Sequence, residues 1–211
     1  MDNTRTNEDI ARDAAAIRDK VAEFVRHSAF LRLKNQADCP DVDVRTLADD
    51  FVPGRILANN MAFILISGDS VRITFKVHFN LATAKNLAFR VFGGESAEDI
   101  PVRQAFDYVK EYCNLVAGNV VSLFENVGVD LGISLPLCTR GFYEVFSDYA
   151  ESDYPVVTYS KFWRLQANEN VIFCSARFEL LNRKSLTNLI GFEIPEETIG
   201  DSEIEFLWDS A

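Results

Sequence analysis

PVRQAFDYVKEYCNLVAGNVVSLFENV, residues 101–127, decides how the rest of the chain is read. Val102, Ala105, Phe106, Val109, Cys113, Val116, Ala117, Val120, Leu123, Phe124 and Val127 recur at three- and four-residue steps. That spacing predicts one long amphipathic helix with an apolar stripe turned toward a core. Pro101 suits a first helical turn, where its missing N–H costs nothing. Gly128 suits the position just past the helix end, where left-handed backbone is needed.

The same helix carries a second, less ordinary face. Asp107, Glu111, Asn114 and Gly118 stand at i, i+4, i+7 and i+11. At about 100° per residue they fall within about 60° of one another. Asn and Gly are poor residues for a helix interior, and Gly alone costs about 1 kcal/mol relative to Ala. Local stability does not explain this ridge; close approach by another surface does. The competing reading is a solvated helix face with a glycine that packs against a neighbouring helix.

Upstream, Leu81–Phe92 reads as a short helix stopped by Gly93-Gly94, and residues 95–100 as an acidic turn into the long helix. Residues 55–80 read as a β-hairpin. Residues 61–66 form a continuous apolar run, Ser67-Gly68-Asp69-Ser70 a turn, and Val71, Ile73, Phe75, Val77 and Phe79 alternate with polar residues. Residues 7–34 keep helical spacing through Ile10, Ala14, Ile17, Val21, Phe24 and Val25, with Asn7 or Asp9 as the cap. Residues 35–53 read as an irregular connector with a short helical turn at 44–50. Downstream, residues 129–139 read as a strand with Leu131, Ile133, Leu135 and Leu137 in phase, and Pro136 marking an edge or a bulge. Residues 147–154 read as an acidic loop, 156–166 and 171–181 as a second hairpin, and the stretch from Ser185 as a mixed, acidic tail. The order of elements suggests an α+β domain of antiparallel strands with packed helices.

The 211 residues fit one domain: an N-terminal helix and connector (1–54), a core (55–181) and a C-terminal extension (182–211). Hydrophobic residues make up 48% and charged residues 25%, a composition that buries a sizeable core. A net charge of −11 and a pI of about 4.7 exclude a nucleic-acid or anionic-membrane surface and suit a partner with a cationic patch. The four cysteines are far apart, and Cys113 and Cys174 fall in apolar phases, as buried small hydrophobes do. The start, MDNTRTNED, has no signal-peptide core, and no run of about 18 apolar residues occurs, so no membrane insertion and a cytoplasmic location are expected. His27 and His78 are the two histidines; with no HExxH and no His/Cys cluster, no metal site is expected in this chain. G-x-S-x-G is absent, and Gly93-Gly94 ends a helix rather than following a strand, so it is not a phosphate loop.

Asp107-x3-Glu111-x2-Asn114 resembles the signature of the CheC/CheX/FliY family of phosphatases that act on the chemotaxis response regulator CheY. EYCNLVAGNVVSLFENVGVDLGISLPLCTRG (111–141) is similar to the CheX helix and its following strand, and FNLATAKNLAFRVFGGES (79–96) to the family's short helix with a double glycine. The resemblance runs from about residue 67 to residue 141. It implies a pseudo-twofold arrangement with two long helices side by side, and a homodimer. It implies a phosphorylated CheY-like receiver domain as partner, with Mg²⁺ on that partner and no cofactor in this chain. It implies catalytic roles for Glu111 and Asn114: Asn114 enters the partner's site and positions water, and Glu111 pairs with the partner's phosphate-site lysine. Asp107 then matches an outer docking position, and Gly118 gives clearance. The chemistry is reasonable, because a side-chain amide can hold an attacking water as the orienting glutamine does in GTPases. The alternative is a non-catalytic module that binds a receiver domain or a flagellar-switch component; Asn114 separates the two, since a binder needs no amide there. In the first helix Asp19-x3-Glu23-x2-Arg26 nearly repeats the signature, but Arg26 stands at the amide position and no second active site is expected.

Overall fold

The computed structural model describes residues 6–36, 41–47, 58–140 and 156–195. Helix α1 (Asn7–Gln36) opens on a reciprocal cap. Thr6 Oγ1 accepts from the Asp9 N–H at 3.2 Å, and Asp9 Oδ2 accepts from the Thr6 N–H at 3.2 Å and from its hydroxyl at 2.8 Å. The cap is therefore Thr6 rather than Asn7 or Asp9. These hydrogen bonds from Thr6 hold the Asp9 carboxyl below its ordinary value. Strands β1 (Val42–Thr46), β2 (Asn60–Ser67) and β3 (Val71–Phe79) follow, then α2 (Leu81–Phe92) and the long helix α3 (Val102–Glu125). Short strands β4 (Gly132–Ile133) and β5 (Leu137–Arg140) lead to the hairpin β6 (Val157–Ala167) and β7 (Asn170–Leu180), and a 3₁₀ segment spans Arg183–Leu189.

The strands form one antiparallel sheet in the order β1-β6-β7-β3-β2-β4, with β5 also paired to β2. Hairpins β2–β3 and β6–β7 meet at the sheet centre through β3 and β7. The edge strands are exchanged between the halves: β1 follows α1 but pairs with β6, while β4 and β5 follow α3 but pair with β2. After β3, α2 packs on α3; after β7, the 3₁₀ segment packs on α1. The unit of long helix, edge strand, hairpin and short helix thus occurs twice. This is an α+β fold of pseudo-twofold form, with α1 and α3 side by side on one face of the sheet.

The helix layer and the sheet enclose one apolar core. Phe24 of α1 meets Phe124 of α3 edge-on at 5.3 Å, and Phe75 of β3 lies between Tyr112 and Trp163 at 6.4 and 6.1 Å. Polar ties cross the α1–α3 seam. Tyr112 donates its hydroxyl to the Ala29 carbonyl at 2.7 Å, Asn119 Nδ2 donates to Ser28 Oγ at 3.1 Å, and Arg32 Nη2 donates to Asn119 Oδ1 at 3.4 Å. Cys113 and Cys174 are fully buried, as their phases predict. No helix among the described residues is long and apolar enough to cross a membrane.

Two elements differ from the sequence reading. Residues 42–46, read as part of an irregular connector with a helical turn, form edge strand β1 because Val42 and Val44 turn to the core while Asp43 and Arg45 face out. The last residues of that expected turn, 48–50, lie outside the described residues, as do the acidic loop 147–154 and the tail from residue 196. The strand read at 129–139 is two pieces split around Pro136, which has no N–H for the ladder. Ser134 bridges the gap: its N–H donates to the Leu65 carbonyl at 2.9 Å and its Oγ accepts from the Leu65 N–H at 3.0 Å. Ile133, Leu135 and Leu137 are 49%, 83% and 56% exposed, so most of that apolar phase faces solvent rather than the core.

Candidate functional site

Helix α3 buries Ala105, Tyr108, Val109, Tyr112, Cys113, Val116, Ala117, Val120, Leu123 and Phe124. With that stripe fixed inward by core contacts, the faces beside it are turned to solvent. Asp107, Glu111 and Asn114 are half-buried and Gly118 is exposed, so the structure brings all four onto one accessible ridge. Ordinary helix geometry sets their alignment; the α1 and sheet contacts set which way the ridge faces.

The two carboxylates have different surroundings. Asp107 is paired with Lys110 at 2.5 Å and with Arg103 at 3.8 Å. Glu111 has no cation partner among the described residues; its Oε2 accepts instead from Asn114 Nδ2 at 3.2 Å. Its negative charge is therefore uncompensated within the described chain and available to a cation from outside. A Cβ built on Gly118 would meet nothing within 4 Å, so the backbone there is bare toward solvent rather than pressed against a neighbouring helix. The neighbouring Asn119 points the other way, into the α1 seam.

Sequence reasoning did not single out Arg103 and Lys110 as partners of Asp107, although their i−4 and i+3 spacing was there to be read. Cys138 was also not connected with the ridge. It sits on β5 with its Sγ 4.0 Å from the Phe106 carbonyl, and burial pushes its thiol up to about 11.

The near-repeat on α1 has the same spacing but different chemistry. Arg26, at the amide position, donates from Nη1 to Thr46 Oγ1 of β1 at 3.0 Å, and Glu23 is paired with Lys20 at 2.7 Å. The position matching Gly118 is Phe30, whose ring packs against the core. The second helix therefore offers neither a free amide nor a bare backbone patch.

A family model described as "Chemotaxis phosphatase CheX" matches residues 61–154. That segment is similar to CheX. The CheX-like segment holds the whole Asp107–Gly118 ridge and leaves α1 outside it. Solved structures agree in fold over a longer span. A CheC-like superfamily protein from Shewanella sp. PV-4 is 15% identical with a TM-score of 0.57, covering 76% of this chain and 97% of that one. The chemotaxis protein CheX from Vibrio vulnificus is 14% identical with a TM-score of 0.54, covering 75% and 96%. A Borrelia burgdorferi CheX, solved as a CheX–CheY–BeF₃–Mg²⁺ complex, is 14% identical with a TM-score of 0.54, covering 74% and 96%. Among curated proteins no sequence matches. At these identities the structures share a fold with this chain, and the site's chemistry rests on its own residues.

Proposed function

We propose that this chain is a phosphatase that removes the phosphoryl group from the phosphoaspartate of a CheY-like receiver domain. The observation that carries the reading is the Glu111–Asn114 pair on an outward ridge beside the bare Gly118 backbone, within the segment that matches CheX. The Borrelia burgdorferi neighbour, which was solved bound to CheY, supports the choice of partner.

The partner brings most of the apparatus. An aspartyl phosphate is a reactive acyl phosphate, and the Mg²⁺ and lysine beside it belong to the receiver. What remains is to hold a water in line. Glu111 docks on the partner's lysine, Asp107 lies at the rim of the contact, and Gly118 lets the receiver surface approach α3. Asn114 then enters the phosphate site and orients the water, an effect of proximity and alignment. The water oxygen bonds to phosphorus as the bond to the aspartate oxygen breaks. The electron pair leaves on the aspartate carboxylate, and the water proton passes to a phosphate oxygen or to solvent.

We also assign the chain to a homodimer. Edge strands β4 and β5 pair with β2 on one side and with no described strand on the other, and they expose Ile133, Leu135 and Leu137.

The test is phosphate release from a phosphorylated CheY-type receiver with Mg²⁺. Wild type accelerates release; Asn114→Ala returns it to background while receiver binding persists. If wild type binds receivers and accelerates none of them, the chain is a non-catalytic receiver-binding module.

A further inference from the structure

Asn114 Nδ2 donates to Glu111 Oε2 at 3.2 Å, across one helical turn. An ionised carboxylate only accepts hydrogen bonds, whereas a primary amide donates from one arm and accepts on the other. The contact therefore admits one of the two amide flips, with Nδ2 toward Glu111 and Oδ1 away from it. In the reverse flip two oxygens would face each other at hydrogen-bonding distance and repel. Asp107 does not compete for the amide: it stands two helical turns from Asn114 and is held by Lys110 and Arg103.

We infer that Glu111 is a positioning residue for Asn114: it fixes the amide with Oδ1 presented outward, as an acceptor for water, before any partner arrives. This inference rests on the phosphatase reading and adds a second task to Glu111. A water that attacks phosphorus must aim a lone pair at the phosphorus and a hydrogen at an acceptor. An outward Oδ1 takes that hydrogen. An outward NH₂ would instead bind the water's lone pair and turn it from the target. A carboxylate has about four lone-pair sites. Oε2 can hold the amide while Oε1 remains for the partner's ammonium, so docking need not undo the orientation.

Two variants separate positioning from docking. Glu111→Gln keeps a carbonyl acceptor without the charge, and Glu111→Met keeps neither. Both weaken docking and raise KM for the phosphorylated receiver. At saturating receiver, the Met variant is expected to release phosphate about three- to tenfold more slowly than the Gln variant, because its amide is no longer pinned. A second readout needs no activity. In ¹⁵N spectra of the free protein, one Asn114 side-chain amide proton should exchange with water more slowly than those of exposed Asn126, and Glu111→Met should remove the difference. Equal saturating rates for the two variants overturn the inference, as does wild-type Asn114 exchange as fast as that of Asn126. If wild type releases no phosphate at all, the phosphatase reading fails, and the exchange measurement still decides whether the amide is pinned.

Discussion

Gly118 is the residue where helix stability and the proposed receiver contact make opposite demands. Its φ is ordinary for a helix, so an alanine there is unstrained, and a Cβ meets nothing within 4 Å. Gly118→Ala is expected to raise stability by up to about 1 kcal/mol, the usual helix-interior difference. If the bare backbone is the receiver's contact, the same variant raises KM for the phosphorylated receiver severalfold. Thermal melts paired with release kinetics test both halves; a stability gain with unchanged KM would remove the clearance role. The core makes a separate residue-level prediction. Burial raises the Cys113 and Cys174 thiols and the Tyr112 phenol well above their ordinary values. The folded chain then holds these protons to higher pH than the unfolded chain does. The stability they contribute is complete below the ordinary thiol value of 9.0 and declines as pH rises above it, by about 1.4 kcal/mol per pH unit for each group whose unfolded form has ionised. Urea unfolding at about pH 8 and pH 10 reads the difference, and equal midpoints would show that the thiols ionise as freely in the folded chain.

Among the elements, those whose periodicity runs long were legible in the sequence. The apolar phase of α3 is buried from Ala105 to Phe124, α2 ends where its double glycine says it ends, and β3 alternates apolar and polar residues, although Lys76 and His78 are buried as well. β1 was not legible because it is five residues long and two of the five are charged. Its strand conformation comes from pairing with β6, more than a hundred positions away in the chain, and a local pattern carries no such signal. The same limit hid the seam between the long helices. Asn119 reads as one more poor helix former, yet it closes a buried cluster with Ser28 and Arg32. Asn119→Ala leaves both α1 groups without that partner. The expected cost is about 1–3 kcal/mol, the range for orphaned buried polar groups, measured as a lower urea midpoint. A cost below about 0.5 kcal/mol would mean that water replaces the lost amide. Because α1 fixes how α3 lies on the sheet, this seam links the core to the direction in which the ridge faces.

At the scale of the whole molecule, the repeated unit offers two places for such a ridge, and only α3 carries it among the described residues. Both long helices occupy equivalent places, so each was free to carry the same four positions; Arg26 and Phe30 use theirs to bind β1 and the core. The alignment of Asp107, Glu111, Asn114 and Gly118 was legible from spacing alone. The cations on Asp107 stand at helical spacings that the sequence shows; the freedom of Glu111 and the filled copy on α1 needed the fold. The repeat also leaves an unequal pair of sheet edges. The β1 edge is short and carries Asp43 and Arg45, charges that discourage pairing with another chain. The opposite edge, β4–β5, carries Ile133, Leu135 and Leu137 toward solvent, and an apolar edge of that kind is normally covered. Antiparallel pairing of this edge with its own copy would extend the sheet across a twofold axis and bring the leucines of both chains together. Leu135, 83% exposed, contributes little to the isolated fold, so Leu135→Lys should leave the melting temperature of the monomer nearly unchanged. If the proposed homodimer forms through this edge, wild type scatters as a dimer at micromolar concentration and the variant as a monomer, because two buried ammonium groups would face each other across the axis. A wild-type monomer, or a variant that remains dimeric, would place the contact between copies elsewhere or remove it.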